Sequence, residues 1–324
     1  MEIIKGIHQI SLPTPFPMGS VNVFFLEGRI PTLVDTGLKI PGAEEALEAG
    51  LAEVGYSLAD IAQVFVTHAH IDHYGLVGFT ASRGARVYSH PESIPWLLHH
   101  AEENIRRAPA TATWLQTMGI SNGALAQMEQ MGPQIQEFMA SLAETVPSAE
   151  PIYPGQEFFA GNDVWQVHFF PGHSLTHLAL YRERDGIMIG GDVLLKRISS
   201  NPVVEIEPGK ERVKSLPLYA DSLARLAQIP VSVVLTGHGD PVTEHAHLIA
   251  SRLSEQRERQ DLVLDFLEEG PLTAFEVSKR LFPRAKPDQM LLTISEALGH
   301  LDVLEEQNRL FIEDRNGVFY FGIR

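Results

Sequence analysis

The chain has 324 residues, of which 44% are hydrophobic and 20% are charged, a composition typical of a soluble globular protein long enough to form two domains. Its net charge of −16 argues against a large phosphate-binding surface, and the absence of cysteine excludes disulfides and thiolate ligands, so a metal site must rest mainly on His, Asp or Glu. No apolar run reaches membrane-spanning length and the N-terminus lacks a signal-peptide pattern, so we expect a cytoplasmic protein without a membrane partner.

The N-terminal part of the chain alternates predicted strands with helices. Apolar, β-branched runs predict the strands, and the spacing of apolar residues predicts an amphipathic helix over residues 43–54. The predicted strands are 7–12, 21–26, 32–35, 61–66 and 85–89.

Directly after the strand at 61–66, three imidazoles and a carboxylate occur within six residues. They are His68, His70, Asp72 and His73. Imidazole nitrogen and carboxylate oxygen are ligands of zinc and similar metals, and the end of a buried strand is a rigid place for them. We expect His68 and His70 to point the same way, and Asp72 and His73 to lie further along a loop, facing a second ion. Surface or capping histidines are the alternative, but such a dense cluster has no packing rationale.

Residues from about 91 to 146 interrupt the alternation. They lack strand patterning, are rich in Ala, Gln, Glu and Met, and contain breaks at Pro109, Gly119 and Pro133. The segment is therefore predicted to be a helical insertion.

The pattern of strand, glycine and metal-capable side chain then occurs three more times. The predicted elements are strands at 164–170, 178–181, 187–189 and 231–235, and a helix at 217–227. His173 follows a Pro-Gly turn, Asp192 follows Gly-Gly, and His238 lies in Gly-His-Gly-Asp. Glycine allows backbones to approach closely, so these strand ends can meet in one site.

Together these residues resemble the metallo-β-lactamase-fold hydrolase superfamily. The family motif HxHxDH is met by residues 68–73, the later ligands by His173, Asp192 and His238, and an early aspartate by Asp35. The resemblance covers about residues 1–250, and the segments 12–24 and 191–202 look like the subgroup with a C-terminal winged helix. It implies an α/β fold, a four-layer αβ/βα sandwich with the helical insertion, followed by a winged-helix domain at 251–324.

The resemblance also implies two divalent metal ions. The first ion would be held by His68, His70 and His173, and the second by Asp72, His73 and His238, with Asp192 bridging them. A water shared by two ions can be deprotonated near neutral pH and becomes a nucleophile. Zinc is the first expectation, and manganese and iron also suit His and Asp ligands.

Asp72 and Asp35 are assigned further roles by this resemblance. Asp72 would be the catalytic residue, because it could orient the metal-bridging hydroxide and shuttle its proton. Asp35 would accept a hydrogen bond from a ligand imidazole. A turn or helix-cap role before Gly37 is the alternative for Asp35.

Three further residues are candidates for substrate binding. Tyr74 could donate a hydrogen bond to an oxyanion, and Lys196 or Arg197 could attract an anionic substrate. Alternatively, Tyr74 is an aromatic residue of the loop without a role in binding, and Lys196 and Arg197 are solvated basic residues.

The C-terminal block has the order helix, helix, hairpin. Its predicted elements are a long helix at 244–268, helices at 273–281 and 287–304, and strands at 309–311 and 318–321. This order predicts a winged helix, but residues 251–324 hold 10 Lys+Arg and 14 Asp+Glu, a net charge of −4. DNA-reading domains usually carry a basic face, so packing or homo-oligomerisation is favoured over nucleic acid contact.

Two enzymatic functions are consistent with these features. The first is hydrolysis of a small ester, thioester or lactone, with the insertion acting as a lid over the small-molecule substrate. The second is a phosphodiesterase or endoribonuclease acting on single-stranded nucleic acid, against which the acidic charge counts. A third, non-enzymatic function as a metal-responsive binding module is disfavoured by the complete ligand set.

Overall fold

The computed structural model describes residues 1–16 and 18–324, without the side chains of residues 128, 129 and 288. Pro17, part of the N-terminal segment used for the family resemblance, lies outside the described residues. The described strands form a seven-stranded, a five-stranded and a two-stranded sheet. No helix among the residues described has the length and apolarity needed to span a membrane.

The first sheet has the spatial order β1 to β7, which is also the chain order. Its strands are β1 (Glu2–Ile4), β2 (Ile7–Leu12), β3 (Val21–Leu26), β4 (Thr32–Val34), β5 (Gln63–Phe65), β6 (Arg86–Ser89) and β7 (Glu150–Pro151). Pairing is antiparallel from β1 to β4 and parallel from β4 to β7. The carboxyl ends of β4 and β5 therefore lie at one edge, where Asp35 and the histidine motif follow.

The second sheet has the order β12-β11-β10-β9-β8. Its strands are β8 (Glu157–Ala160), β9 (Asp163–Phe169), β10 (Leu178–Arg182), β11 (Ile187–Gly191) and β12 (Val233–Thr236). The pair β11–β12 is parallel, and the other described pairs of this sheet are antiparallel. The carboxyl ends of β11 and β12 lead to Asp192 and His238.

The two sheets pack face to face, with helices on their outer faces. Alternation along β3 explains this, because Phe24 and Leu26 pack between the sheets while Val23 and Phe25 pack against the outer helices. The helices outside the first sheet are α1 (Ala43–Ala52), α2 (Ile71–Tyr74) and α3 (Val77–Ala81), and α7 (Ser215–Leu226) covers the second sheet. Asp72 and His73, predicted along a loop, lie in the short helix α2, whose single turn is too short to show periodicity.

The insertion and the C-terminal block share one hydrophobic core. The insertion contains α4 (Ile94–Thr117), α5 (Asn122–Gln130) and α6 (Gly132–Ser141), and the C-terminal block contains α8 (His245–Leu267), α9 (Ala274–Leu281), α10 (Met290–Glu306), β13 (Leu310–Arg315) and β14 (Val318–Ile323). Trp114 and Leu115 of α4 pack with Val263 of α8 and Leu298 of α10. The insertion is therefore tied to the C-terminal block. The predicted domain boundary at residues 250 and 251 falls inside α8, and the division into domains stays a prediction.

Candidate metal centre

Metal-capable side chains from four chain segments meet at one end of the two sheets. His68 and His70 follow β5, Asp72 and His73 lie in α2, and the remaining residues follow three strands of the second sheet. Those residues are His173 after β9, Asp192 after β11 and His238 after β12. The strands β4 and β5 of the first sheet are parallel, and so are β11 and β12 of the second. The carboxyl ends of each pair therefore lie together at this end of the sheets.

The first group consists of three imidazoles. Nε2 of His68 lies 3.1 Å from Nδ1 of His70, which lies 2.9 Å from Nε2 of His173. Three ring nitrogens this close are suited to surround one cation at the distance of roughly 2.0–2.1 Å that is typical of zinc and imidazole.

The second group combines Asp72, His73 and His238. Oδ2 of Asp72 lies 3.2 Å from Nε2 of His238, and Oδ1 of Asp72 lies 4.0 Å from Nε2 of His73. This set of two nitrogens and a carboxylate can hold a second ion.

Asp192 lies between the two groups. Its Oδ2 is 3.6 Å from Nε2 of His73, 3.6 Å from Nε2 of His173 and 3.5 Å from Nε2 of His238. One carboxylate oxygen is therefore nearly equidistant from imidazole nitrogens of both groups.

The outward-facing nitrogens of four of these imidazoles are hydrogen-bonded. Nδ1 of His68 is 3.0 Å from the hydroxyl of Thr67, which donates to Asp35 and therefore accepts here. Nδ1 of His73 is 2.8 Å from Oδ2 of Asp35, Nδ1 of His173 is 2.8 Å from the carbonyl of Asn201, and Nδ1 of His238 is 2.9 Å from the carbonyl of Ser20. Carboxylate and carbonyl oxygens only accept, so each Nδ1 carries the proton and donates it. In the neutral rings Nε2 then presents a lone pair to the centre, as a metal ligand requires.

Buried polar atoms without partners test whether a cation fits. Within the described part of the chain, Nε2 of His73, Nε2 of His238 and Oδ1 of Asp192 are buried without a hydrogen bond. Buried polar atoms nearly always have partners, so three unpartnered atoms within this cluster fit a centre that binds cations. A Cβ at Gly237 would lie 2.2 Å from Oδ1 of Asp192, so a side chain at this position would force a shift at the centre.

Burial and charge set the protonation of the site. Burial lowers the pKa of His68 well below its usual range and that of His173 to about 4, so both rings are neutral at neutral pH. Burial also opposes the charged form of His73, but Asp192, Asp35 and Asp72 together outweigh it and raise its pKa well above the usual range. Asp192 remains ionised, because the surrounding imidazoles lower its pKa more than burial raises it.

Asp35 holds an uncommon backbone conformation beside His73. Its φ is 63°, a value that few non-glycine residues adopt. The carboxylate accepts hydrogen bonds from the backbone N–H and the hydroxyl of Thr67, at 2.8 and 2.9 Å, besides the bond from His73. Backbone strain at such a position is typical of a functional site.

The structure corrects the role predicted for Tyr74. Nε2 of His100 donates to the carbonyl of Met139 at 2.8 Å, so Nδ1 of His100 accepts, and the Tyr74 hydroxyl donates to it at 2.6 Å. Tyr74 is buried, and its donor is occupied by this contact with α4. It therefore anchors the insertion instead of facing an oxyanion. His100 is buried as well.

Lys196 and Arg197 lie at the exposed rim. Arg197 is 3.1 Å from Asp240, and Lys196 is 4.0 Å from the same carboxylate, two residues after His238. Their role in substrate binding stays a prediction.

His177 contributes to the centre in a way that the sequence did not specify. Its Nε2 accepts a hydrogen bond from the backbone N–H of Asp192 at 3.1 Å, and its ring centroid is 4.7 Å from that of His68. In the sequence, His177 follows His173 by four residues. This position is compatible both with a core residue and with a residue that supports the metal ligands.

Comparison with known proteins identifies the family. Residues 17–238, more than half of the chain, match the Metallo-beta-lactamase superfamily. The chain belongs to the metallo-β-lactamase superfamily. Residues 261–323 match the family described as "Metallo-beta-lactamase-like, C-terminal domain".

Similar proteins span the whole chain. The "Probable metallo-hydrolase YqjP" of Bacillus subtilis is 34% identical over 98% of both chains. Among solved structures, the metallo-beta-lactamase family protein TTHA1429 of Thermus thermophilus is 28% identical over 100% of both chains, with a TM-score of 0.85. A beta-lactamase domain protein of Burkholderia ambifaria is 25% identical, with a TM-score of 0.82. The match covers 100% of this chain and 93% of the Burkholderia chain. The protein is accordingly a metal-dependent hydrolase with the α/β fold of this superfamily.

Proposed function

We propose that this protein hydrolyses a small ester, thioester or lactone at a binuclear metal centre, with zinc as its metal. The observation that carries the proposal is the position of Asp192, whose Oδ2 is 3.5–3.6 Å from imidazole nitrogens of both ligand groups. Two cations close together need such an anion to offset their repulsion.

Each ion has a defined set of ligands in this proposal. His68, His70 and His173 would hold the first ion, and Asp72, His73 and His238 the second, with Asp192 shared. When bound, the ions would polarise a substrate carbonyl and lower the pKa of a water.

The chain's own contribution is positioning and proton transfer. Asp72 is ionised at neutral pH, because His73 and His238 lower its pKa more than burial raises it. It can therefore accept a proton from the attacking water and donate it to the leaving group. The bonds from His73 to Asp35, His173 to Asn201 and His238 to Ser20 keep the ligand rings fixed, so little reorganisation accompanies the reaction.

A cavity lies next to Asn201, the partner of His173, between the loop after β11 and the C-terminal helices, and none of the seven candidate metal ligands lines it. Its volume is about 380 Å³, and Arg197, Asn201, Arg252 and Arg259 are among its lining residues. This volume suits a small molecule. Arg252 pairs with Glu255 at 3.0 Å and Arg259 pairs with Glu296, so the cavity lacks the excess positive charge that a polyanion needs. Arg197 at the rim would contact an anionic group of the substrate.

We also propose that α8, α9, α10 and the β13–β14 hairpin form a winged helix used for packing. In a DNA-reading winged helix the third helix needs an exposed face to enter a groove. Residues 294–302 of α10 are instead buried on every side. This burial and the −4 charge of the block, from 10 Lys+Arg and 14 Asp+Glu, favour packing over nucleic acid binding.

An assay of two substrate classes side by side tests the proposal. Metal-loaded protein is offered a panel of esters, thioesters and lactones and, separately, a single-stranded RNA oligonucleotide at physiological salt. We expect acyl hydrolysis that is lost in His68→Ala, and no RNA cleavage. RNA cleavage lost in the same variant, without acyl hydrolysis, would establish the endoribonuclease function instead.

A further inference from the structure

A loop joins the metal centre to the C-terminal helices. We call residues 199–214, between β11 and α7, the coupling loop. It contacts His173 and its neighbours on one side and α10 on the other.

On the metal side, the coupling loop fixes the orientation of His173. The Asn201 carbonyl accepts from Nδ1 of His173 at 2.8 Å, and the Val203 N–H donates to the His173 carbonyl at 3.3 Å. Glu205 accepts from the hydroxyl of Ser174 and the N–H of Leu175, both at 2.8 Å. The loop therefore holds both the ring and the backbone of this ligand.

On the other side, the first anchors of the coupling loop are on α10. The Asn201 side-chain amide donates to the Leu292 carbonyl at 2.9 Å, and the Val204 N–H donates to the Ser295 hydroxyl at 3.1 Å. The carbonyl and side chain of Asn201 thus face opposite partners, one in the metal centre and one in α10.

The later part of the loop is held by ion pairs and apolar contacts. Arg212 makes two hydrogen bonds to the buried Asp302, at 2.6 and 2.7 Å, and Lys214 pairs with Glu305 at 2.6 Å. Val204 and Ile206 pack against the C-terminal core. Two-point arginine contacts restrict geometry as well as supply energy, so the loop is fixed relative to α10.

The other three fixed imidazoles have supports elsewhere. Nδ1 of His68 is 3.0 Å from the Thr67 hydroxyl. Among the described residues, Nδ1 of His73 bonds to Asp35 and Nδ1 of His238 bonds to the Ser20 carbonyl, both in the N-terminal part of the chain. His173 is a ligand of the first ion in the proposed function, whereas His73 and His238 are ligands of the second. A disturbance of the coupling loop should therefore affect one ion only.

We propose that α10 positions His173 through the coupling loop, so that Asn201 and Ser295 set the affinity of the first metal site. This inference rests on the proposed binuclear function. Partners of the outward nitrogen of a metal-binding histidine typically change metal affinity by about 10–100-fold when removed. Here the carbonyl of Asn201 remains and only its anchor is lost, so the lower part of that range is expected.

The test is metal titration of Asn201→Ala, Ser295→Ala and the double variant. Asn201→Ala removes the anchor on Leu292 but retains the carbonyl that accepts from His173. Ser278→Ala is the matched control for Ser295, because Ser278 is also buried in the C-terminal block but bonds to Phe275 within its own helix. Asn162→Ala, which removes a side-chain contact with the Arg29 N–H, is the control for Asn201.

Cobalt(II) titration followed by visible absorption, with chelator competition, gives the affinity of each site. We expect the double variant to bind the first ion about tenfold more weakly than wild type, with the second affinity and both controls unchanged within about twofold. An unchanged first-site affinity, or an equal loss at both sites, would overturn the inference. If the double variant does not fold, as judged by thermal unfolding, Asn201→Ala alone decides by the same criteria. A wild-type protein that binds fewer than two ions would refute the proposed function instead.

Discussion

Replacement of Gly237 by alanine tests how tightly the chain packs around Asp192. The added Cβ would lie 2.2 Å from Oδ1 of Asp192 and 2.7 Å from Cε1 of His73. Real Cβ atoms do not pack closer than 3.0 Å to such neighbours, so the carboxylate and the backbone at residue 237 must separate by at least about 0.8 Å more. Gly237 does not have a positive φ, so the effect comes from this contact and not from backbone strain.

A shift of this size is larger than a metal centre tolerates. Ligand constellations must be held to within about 0.5 Å of their productive geometry, and a displacement of about 1 Å can cost about 100-fold in rate. We therefore expect Gly237→Ala to lose at least one of two bound ions and about 100-fold in turnover, with an overpacking cost of about 1–3 kcal/mol in stability.

Metal content by elemental analysis, turnover and thermal unfolding are measured on the same samples. Gly123→Ala is the control, because Gly123 is helical and a Cβ there meets nothing within 4 Å. The control should retain both ions and full turnover. Full metal content and near-wild-type turnover in Gly237→Ala would refute the proposed crowding around Asp192.

Three further predictions concern the carboxylates and protons of the centre. Asp72→Asn should fold normally but lose at least about 100-fold in turnover, because an amide cannot accept the proton, and wild-type turnover with both ions retained would exclude that role. Asp35→Asn should weaken the second metal site about 10–100-fold in a metal titration, because His73 loses its carboxylate partner, and unchanged affinity at that site would contradict this. Loading the metal-free protein at pH 7 should release at least about one proton, because the raised pKa of His73 keeps it charged until a cation displaces the proton. Affinity should accordingly rise with pH. Calorimetry in buffers of different ionisation enthalpy measures the release, and identical heats in all buffers would argue against it.

The strands with strong apolar patterns could be predicted from the sequence. The predicted strands 7–12 and 21–26 coincide with β2 and β3, because their hydrophobic residues alternate between two buried faces. The short edge strands β1, β7 and β8 were not predicted. The two residues of β7, Glu150 and Pro151, are exposed and carry no periodic signal.

The groups that form the site also differ in whether the sequence could predict them. Side chains such as His68 and Asp192 have sequence signatures, and the structure brings them together. The carbonyls of Ser20 and Asn201 have none, because any residue offers a backbone acceptor and only tertiary structure selects which one is used. The contact between Tyr74 and His100 joins residues 26 positions apart on different helices, so local sequence patterns could not predict it.

The number of metal ions bound per chain tests the central claim most directly. Purified protein is stripped of metal, titrated with zinc to saturation, freed of excess ion and analysed by elemental analysis. We expect two ions per chain in the wild type, and a loss of at least one in His68→Ala. One ion or none in the saturated wild-type protein would contradict the binuclear centre and the hydrolytic function built on it.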